Sequence, residues 1–137
     1  MNQSEQLPSP PAVGPLSGDP AVVLRGKRVL VVEDELLLAM AIEEMLESDL
    51  GMIVAATAGT LDDGLAFAEK GGFDVALLDV NLNEERSYPI ADLLREKGVP
   101  FAFATGYETT DWGGDAPRLG KPYDERAPAN VLIDLLT

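Results

Sequence analysis

Apolar runs and helix-length amphipathic segments alternate along most of the chain. A short run of β-branched and other apolar residues indicates a strand that is buried on both faces, because such a strand needs no polar positions. A longer segment with apolar residues three and four positions apart, followed by glycine, indicates a helix and its end. We predict strands at 28–32, 52–56, 73–78, 100–104 and 116–120, and helices at 35–50, 60–70, 89–97 and 126–137.

The alternation of strands and helices predicts the fold class. Strands joined by crossover helices lie parallel, and right-handed crossovers place helices on both faces of the sheet. Five strands and roughly five helices favour an α/β, flavodoxin-like, doubly wound five-stranded parallel sheet with strand order 2-1-3-4-5. In such a sheet, ligands bind at the carboxyl ends of the strands.

The first 24 residues have a different composition from the rest of the chain. Five of the ten prolines lie within the first 20 residues. A segment with so little apolar surface cannot offset the entropy that it would lose on ordering, so we predict that residues 1–24 form a disordered, Pro-rich tail. No basic residue flanks these prolines, which disfavours a Pro-rich docking motif. Residues 25–137 are then expected to form one folded domain.

The absence of two residue types excludes several kinds of chemistry. The chain contains neither cysteine nor histidine, which rules out disulfides, thiolate nucleophiles, histidine-ligated metals and catalysis by a Ser–His pair. If phosphohistidine takes part in the function, it belongs to a partner. The sequence has no secretory signal and no apolar run long enough to span a bilayer, so we predict no membrane insertion and a cytoplasmic location.

Acidic residues dominate the charge of the protein. The formal net charge is −14, which argues against nucleic acid as a partner, because nucleic-acid affinity depends on Lys and Arg side chains that neutralise phosphates. No basic residue occurs between Arg28 and Lys70, whereas acidic residues recur there. Two interpretations stay open: a solvated surface, which is the more common case, and an acidic face that selects a basic partner.

Polar and charged residues follow four of the predicted strands. Each has an ordinary explanation by itself, since an aspartate at a strand end usually caps a helix or a turn. The predicted strand order brings them to the same edge of the sheet, however, and that convergence indicates a functional site. They are Glu33, Asp34 and Glu35 after the first strand, Asp79 after the third, Thr105 and Gly106 after the fourth, and Lys121 and Pro122 after the fifth.

The residue types at this edge suit one kind of ligand. Carboxylates about 4 Å apart repel by roughly 4 kcal/mol at an effective dielectric constant of about 20, so a cation is needed to hold them together. Oxygen ligands without histidine or cysteine suit Mg²⁺. Lys121 adds a second positive charge. An aspartate beside Mg²⁺ and a lysine suits a phosphoryl group, whose oxygens need cations during transfer.

Four motifs at these positions match a known family. They are VLVVEDE at 29–35, VALLDVNL at 75–82, FATGY at 103–107 and KP at 121–122. In this order and spacing they make residues 27–137 resemble the response-regulator receiver domain, the CheY-like family. The FATGY variant, with Pro100 and Phe101 ahead of it, resembles the FAT GUY subgroup of receivers.

The resemblance implies a phosphoacceptor and a metal site. Asp79 would accept a phosphoryl group from a histidine kinase or a phosphotransfer protein. Glu33, Asp34 and Asp79 would hold Mg²⁺, together with the backbone carbonyl of Asn81.

The resemblance also implies roles for the residues that follow the fourth and fifth strands. Thr105 and Lys121 would bind the phosphoryl oxygens during transfer. Thr105, Gly106 and Tyr107 would form the switch region. Pro122 would follow a cis peptide bond.

One departure from the receiver pattern concerns the switch. A receiver usually carries an aromatic residue two or three positions before the lysine, but Arg118 and Leu119 stand there. The aromatic half of the usual switch is therefore missing. Two interpretations of Tyr107 and Trp112 stay open: both pack within their loop, or one of them replaces the missing aromatic.

A second departure concerns the helix that should connect the fourth and fifth strands. Only 15 residues separate Thr105 from Lys121, which is short for a helix and a strand. This segment contains Gly113, Gly114 and Pro117, which are poor helix formers. We therefore predict that the fourth helix is eroded or mobile.

The resemblance predicts a single-domain response regulator that signals through contacts with a downstream protein. It implies no enzyme beyond self-catalysed phosphoryl transfer and autodephosphorylation, and the subgroup points to a kinase of the HWE type. A phosphate sink that drains a kinase is one alternative. Another, from a different class, is a Mg²⁺-dependent phosphohydrolase with an aspartate nucleophile, although such enzymes need a second aspartate where Asn81 stands.

Overall fold

A parallel β-sheet forms the centre of the molecule in the computed structural model. The structure describes residues 23–105, 118–120 and 126–136, with the side chains of 23–104 and 130–136. The strands of the sheet are β1 (Arg28–Val32), β2 (Ile53–Ala58), β3 (Val75–Asp79), β6 (Phe101–Thr105) and β7 (Arg118–Gly120). A separate two-stranded hairpin consists of β4 (Asn81–Leu82) and β5 (Glu85–Arg86).

Helices follow the strands in the order that the sequence predicts. They are α1 (Leu36–Glu44), which continues as a π-helical turn at Met45–Asp49, α2 (Leu61–Lys70), α3 (Tyr88–Glu96) and α4 (Arg126–Leu136). The sheet has the strand order β2-β1-β3-β6-β7, with every neighbouring pair parallel. The predicted α/β, flavodoxin-like fold is therefore confirmed, and β1 and β3 are neighbours as the site requires.

The side chains of β1 show why helices cover both faces of the sheet. Leu30 and Val32 lie in one apolar layer, whereas Val29 and Val31 lie in the other. Because successive side chains of a strand point to opposite faces, an apolar run of this length needs a cover on each side. The first layer is completed by Leu78, Ile90, Leu94 and Phe103, and the second by Leu24, Ile42, Leu46, Leu77 and Leu132.

Helix α2 begins and ends where its sequence signals lie. The Thr60 hydroxyl accepts a hydrogen bond from the amide of Asp63 at 3.1 Å, which satisfies one of the free amides of the first turn. Asp62 and Asp63 lie in the first turn and Lys70 lies in the last, so all three complement the helix dipole. Gly71 follows the helix with a φ of 75°, which favours glycine.

Several predicted boundaries differ from the structure. The sequence predicts the first helix over 35–50, but its α-helical part ends at Glu44 and the rest is the π-helical turn, which buries Leu46. The second strand runs to Ala58 instead of ending at 56. The predicted disordered tail includes Leu24, yet this residue is completely buried in the second apolar layer. An apolar anchor at the chain's entry into the domain explains this difference, because burial of a leucine stabilises the fold.

Two further predictions fall on other parts of the chain. The tail prediction for residues 1–22 and the eroded helix predicted between Thr105 and Lys121 lie outside the described residues. Within the described ranges, no helix is long and apolar enough to cross a membrane.

Candidate functional site at the carboxyl ends of the strands

Three carboxylates meet at the carboxyl ends of β1 and β3. Val32 pairs with Leu78 in the parallel register of these strands, so Glu33 and Asp79 follow at neighbouring positions. Glu33, Asp34 and Asp79 each offer a carboxylate oxygen, and these oxygens all lie within 4.8 Å of one another. Glu33 is only 4% exposed and Asp79 only 6%, whereas Asp34 is exposed to solvent.

Backbone amides orient each of the three carboxylates. The amide of Glu35 donates to Oε2 of Glu33 at 3.2 Å, and the amide of Asn81 donates to Oδ1 of Asp79 at 3.3 Å. These donors lie two residues beyond their acceptors, so the bonds form as the chain leaves each strand. The third donor is distant in sequence: the amide of Asn83 donates to Oδ2 of Asp34 at 3.0 Å.

The arrangement of these oxygens fits a small hard cation. Carboxylates at this separation repel strongly where burial lowers the effective dielectric constant. A divalent cation removes that repulsion, and a donor set of oxygen atoms alone suits Mg²⁺. Mg²⁺ also keeps several of its waters, and the exposure of Asp34 leaves the cluster open to solvent on that side.

The remaining predicted site residues stand in different positions relative to this cluster. Thr105 is the last residue of β6 and directly follows Ala104, which pairs with Asp79. Asn81 begins the small hairpin and is exposed. The side chain of Thr105 and the residues predicted for the switch, the phosphoryl contact and the cis peptide lie outside the described residues, namely Gly106, Tyr107, Trp112, Lys121 and Pro122.

The hairpin that connects β3 with α3 is not among the elements that the sequence predicts. Its turn residues Asn83 and Glu84 have φ angles of 52° and 72°, and its strands have only two residues each. Asn at the first position of a two-residue turn is a recognised hairpin signal. The second position lacks the usual glycine, and the strands are too short to show alternation, so the signal is weak.

Comparison with known proteins agrees with this geometry. The model of the family described as the response regulator receiver domain matches residues 29–121. Among curated proteins, the transcriptional regulatory protein CiaR of Streptococcus pneumoniae is 34% identical over 95 residues, which are 68% of this chain and 41% of that protein. The sensory transduction protein LytT of Bacillus anthracis is 31% identical over 83 residues, which are 59% of this chain and 34% of that protein. The chain thus spans about two fifths or less of the length of these curated relatives.

Solved structures resemble the chain over most of its length. SdrG of Sphingomonas melonis Fr1 shares 39% identity with a TM-score of 0.72, and the match covers 84% of this chain and 98% of SdrG. The response regulator PhyR of Brucella abortus shares 26% identity with a TM-score of 0.72, over 85% of this chain and 50% of PhyR. With the family match spanning most of the domain, the chain belongs to the response regulator receiver domain family.

Proposed function

We propose that this receiver domain accepts a phosphoryl group on Asp79 in the presence of Mg²⁺ and so acts in a two-component response regulator. The observation that supports this most directly is the cluster of Glu33, Asp34 and Asp79 oxygens within 4.8 Å of one another. Asp79 is the member that lies at the end of the central strand β3 and is almost completely buried. Its position next to two other carboxylates suits a nucleophile that acts beside a metal ion.

The proposed reaction transfers a phosphoryl group from a histidine nitrogen of the partner to a carboxylate oxygen of Asp79. A carboxylate oxygen of Asp79 attacks the phosphorus of a partner's phosphohistidine, the nitrogen–phosphorus bond breaks, and its electron pair returns to the imidazole. The product is an acyl phosphate on Asp79. The Asn81 amide, which holds Oδ1 of Asp79, keeps the carboxylate in a defined orientation during the attack.

The metal and the remaining site residues have separate proposed tasks. When bound, Mg²⁺ neutralises the charge that develops on the phosphoryl oxygens. Glu33, Asp34 and Asp79 would hold the ion with the carbonyl of Asn81. By family resemblance, Thr105 and Lys121 would bind phosphoryl oxygens, Gly106 and Tyr107 would complete the switch, and Pro122 would follow a cis peptide.

The proposed output is a contact with another protein. The match to SdrG covers 98% of that chain. The match to PhyR covers 50% of that response regulator. These likenesses support a protein that acts through a histidine kinase or phosphotransfer partner, and we keep the FAT GUY subgroup and an HWE-type kinase as parts of the proposal. The protein's own chemistry is limited to gaining and losing its phosphoryl group.

Replacing Asp79 by asparagine tests the phosphoacceptor. Asp79→Asn keeps the size of the side chain but removes the nucleophilic oxygen anion, so it should abolish labelling by a phosphorylated cognate kinase. Asp92→Asn is a matched control, because Asp92 is an exposed aspartate of α3 that pairs with Arg95. Phosphate bound to the chain is measured over time for both variants. Label retained on Asp79→Asn would assign the acceptor to another residue.

A further inference from the structure

The β4–β5 hairpin follows Asp79 closely in the chain, and its turn contacts the carboxylate cluster at Asp34. Asn81 pairs with Arg86 and Leu82 pairs with Glu85, which leaves Asn83 and Glu84 as a two-residue turn. Positive φ at both turn residues is the conformation that matches the twist of paired strands in a tight hairpin. The short hairpin therefore has one defined turn geometry.

The base of the hairpin is anchored in the protein, whereas its turn is exposed. Leu82 is 1% exposed and belongs to the first apolar layer. The amide of Ser87, which directly follows the hairpin, donates to the carbonyl of Val80 at 2.9 Å. The turn residues Asn83 and Glu84 are exposed. A fixed base places the exposed turn at one position beside the site.

A backbone hydrogen bond of the turn joins the carboxylate cluster to a distant part of the chain. The amide of Asn83 donates to Oδ2 of Asp34 at 3.0 Å, across 49 positions of sequence. Asp34 is exposed, and an exposed aspartate samples several rotamers unless a partner holds it. A carboxylate has enough lone pairs to accept this amide and also to bind a cation.

The turn geometry carries a cost that its sequence does not remove. Glu84 has a φ of 72°, at a turn position where glycine is strongly preferred. The left-handed region is strained for a non-glycine residue, and such strain concentrates at functional sites. The chain therefore keeps the turn that presents the Asn83 amide although Glu84 opposes it.

We propose that the β4–β5 turn is the positioning element for Asp34, and that the Asn83 amide holds this carboxylate in its cation-binding orientation. This inference rests on the proposed Mg²⁺ site and adds the element that supports its exposed ligand. Ligands that are held in place bind metal more tightly than free ones, because less rotational freedom is lost on binding. The coupling is reciprocal, so the cation also stabilises the turn.

A pair of substitutions at one position separates the turn geometry from the side chain. Asn83→Val and Asn83→Gly both remove the polar side chain and keep the amide. Valine strongly disfavours a positive φ, whereas glycine adopts it readily. We expect Asn83→Val to raise the dissociation constant for Mg²⁺ by about threefold to tenfold. Asn83→Gly should retain the wild-type dissociation constant.

The measurement is an NMR titration of the full chain with MgCl₂, with the melting temperature without metal as the control for folding. Equal Mg²⁺ affinity of the valine and glycine variants would overturn the positioning role. If the wild-type chain itself bound no Mg²⁺, the proposed cation site would fail instead, so the two failures can be told apart.

A second measurement does not depend on how well the valine variant folds. Hydrogen exchange of the Asn83 amide in the wild-type chain should slow by about threefold to tenfold on adding saturating MgCl₂. In Asp34→Ala the same amide loses its acceptor and should exchange faster without metal. The Ser87 amide, which bonds to Val80, serves as the internal reference. Unchanged exchange at Asn83 in both experiments would contradict the proposal.

Discussion

Asp74 and Asp79 stand at opposite ends of β3 and illustrate how position decides the role of a residue. Asp74 precedes the strand, and its Oδ2 accepts a hydrogen bond from the Arg28 amide at 2.8 Å. It is exposed, so water shares the solvation of its charge. Asp79 ends the strand, is 6% exposed and lies within the carboxylate cluster. An aspartate therefore pairs with a backbone amide at one end of the strand and is a candidate nucleophile at the other.

Ser87 is a residue whose polar group contributes nothing visible to the fold. Its side chain is completely buried, and its hydroxyl makes no hydrogen bond to any part of the chain that the structure describes. Burial of an unpaired hydroxyl costs free energy, because the hydrogen bonds to water are lost without replacement. The residue precedes α3 as its N-cap, yet it makes no side-chain capping bond.

Ser87→Ala should therefore stabilise the protein. Removal of the unpaired hydroxyl is expected to raise the free energy of unfolding by about 1 kcal/mol. Urea denaturation of the two proteins at the same pH measures the difference. Ser87→Thr is the comparison variant, because it keeps the hydroxyl and adds a methyl group to a filled site, which should destabilise the fold. A loss of stability in Ser87→Ala would mean that the hydroxyl is paired, for example with a buried water.

At the scale of elements, a glycine lets α2 and α3 approach each other closely. Gly64 lies within α2, and a Cβ atom built there would collide with Cδ1 of Ile90 on α3 and lie 3.4 Å from its Cγ1. Glycine lowers the stability of a helix interior by about 1 kcal/mol relative to alanine. The close packing of Ile90, which is completely buried, explains why the helix contains it.

A double-mutant cycle tests this helix contact. Gly64→Ala should destabilise the protein by about 1 kcal/mol, because overpacking outweighs the gain in helix propensity. Ile90→Val removes the colliding Cδ1 and should cost about 1 kcal/mol alone. The double variant should be more stable than the sum of the two losses predicts, and chemical denaturation of all four proteins gives the coupling energy. Strict additivity would mean that the two side chains do not meet.

At the scale of the whole molecule, the protein carries an excess of negative charge that its visible ion pairs do little to offset. The net charge is −14. The ion pairs Arg95–Asp92 and Lys97–Glu69 have separations of 3.8 and 3.7 Å and are largely exposed, so each contributes little to stability. Within the described ranges, the carboxylate cluster is the place where buried negative charge accumulates.

Mg²⁺ should consequently stabilise the folded protein as a whole. Binding to the native state alone adds about 1.4 kcal/mol when free Mg²⁺ is ten times its dissociation constant, which raises Tm by roughly 4–8 °C for a domain of this size. Thermal unfolding in millimolar MgCl₂, against NaCl of equal ionic strength, measures the rise. Glu33→Gln should remove it, whereas Glu47→Gln, an exposed carboxylate of the π-helical turn, should keep it. No rise up to tens of millimolar Mg²⁺ would count against the site.

The order of the elements and the proximity of the carboxylates are both predictable from the pattern of residues along the chain. Apolar runs that need burial on both faces specify parallel strands covered by helices, and this topology places the residues after β1 and β3 side by side. Glu33, Asp34 and Asp79 could therefore be brought together from the chain alone, and the structure has them within 4.8 Å of one another. Helix α2 was equally predictable, since its cap, its first-turn acids and its terminal glycine are all local signals.

Features that depend on contacts between distant residues emerge only when the chain is folded. Leu24 looks like part of a proline-rich tail, but the second apolar layer buries it. The change from α-helix to π-helix at Met45 has no local signal that we can identify. The bond between Asn83 and Asp34 spans 49 positions and depends on a turn conformation that Glu84 disfavours. Local propensity cannot predict such a turn, because its geometry is maintained by the anchored hairpin base and by the carboxylate that the turn contacts.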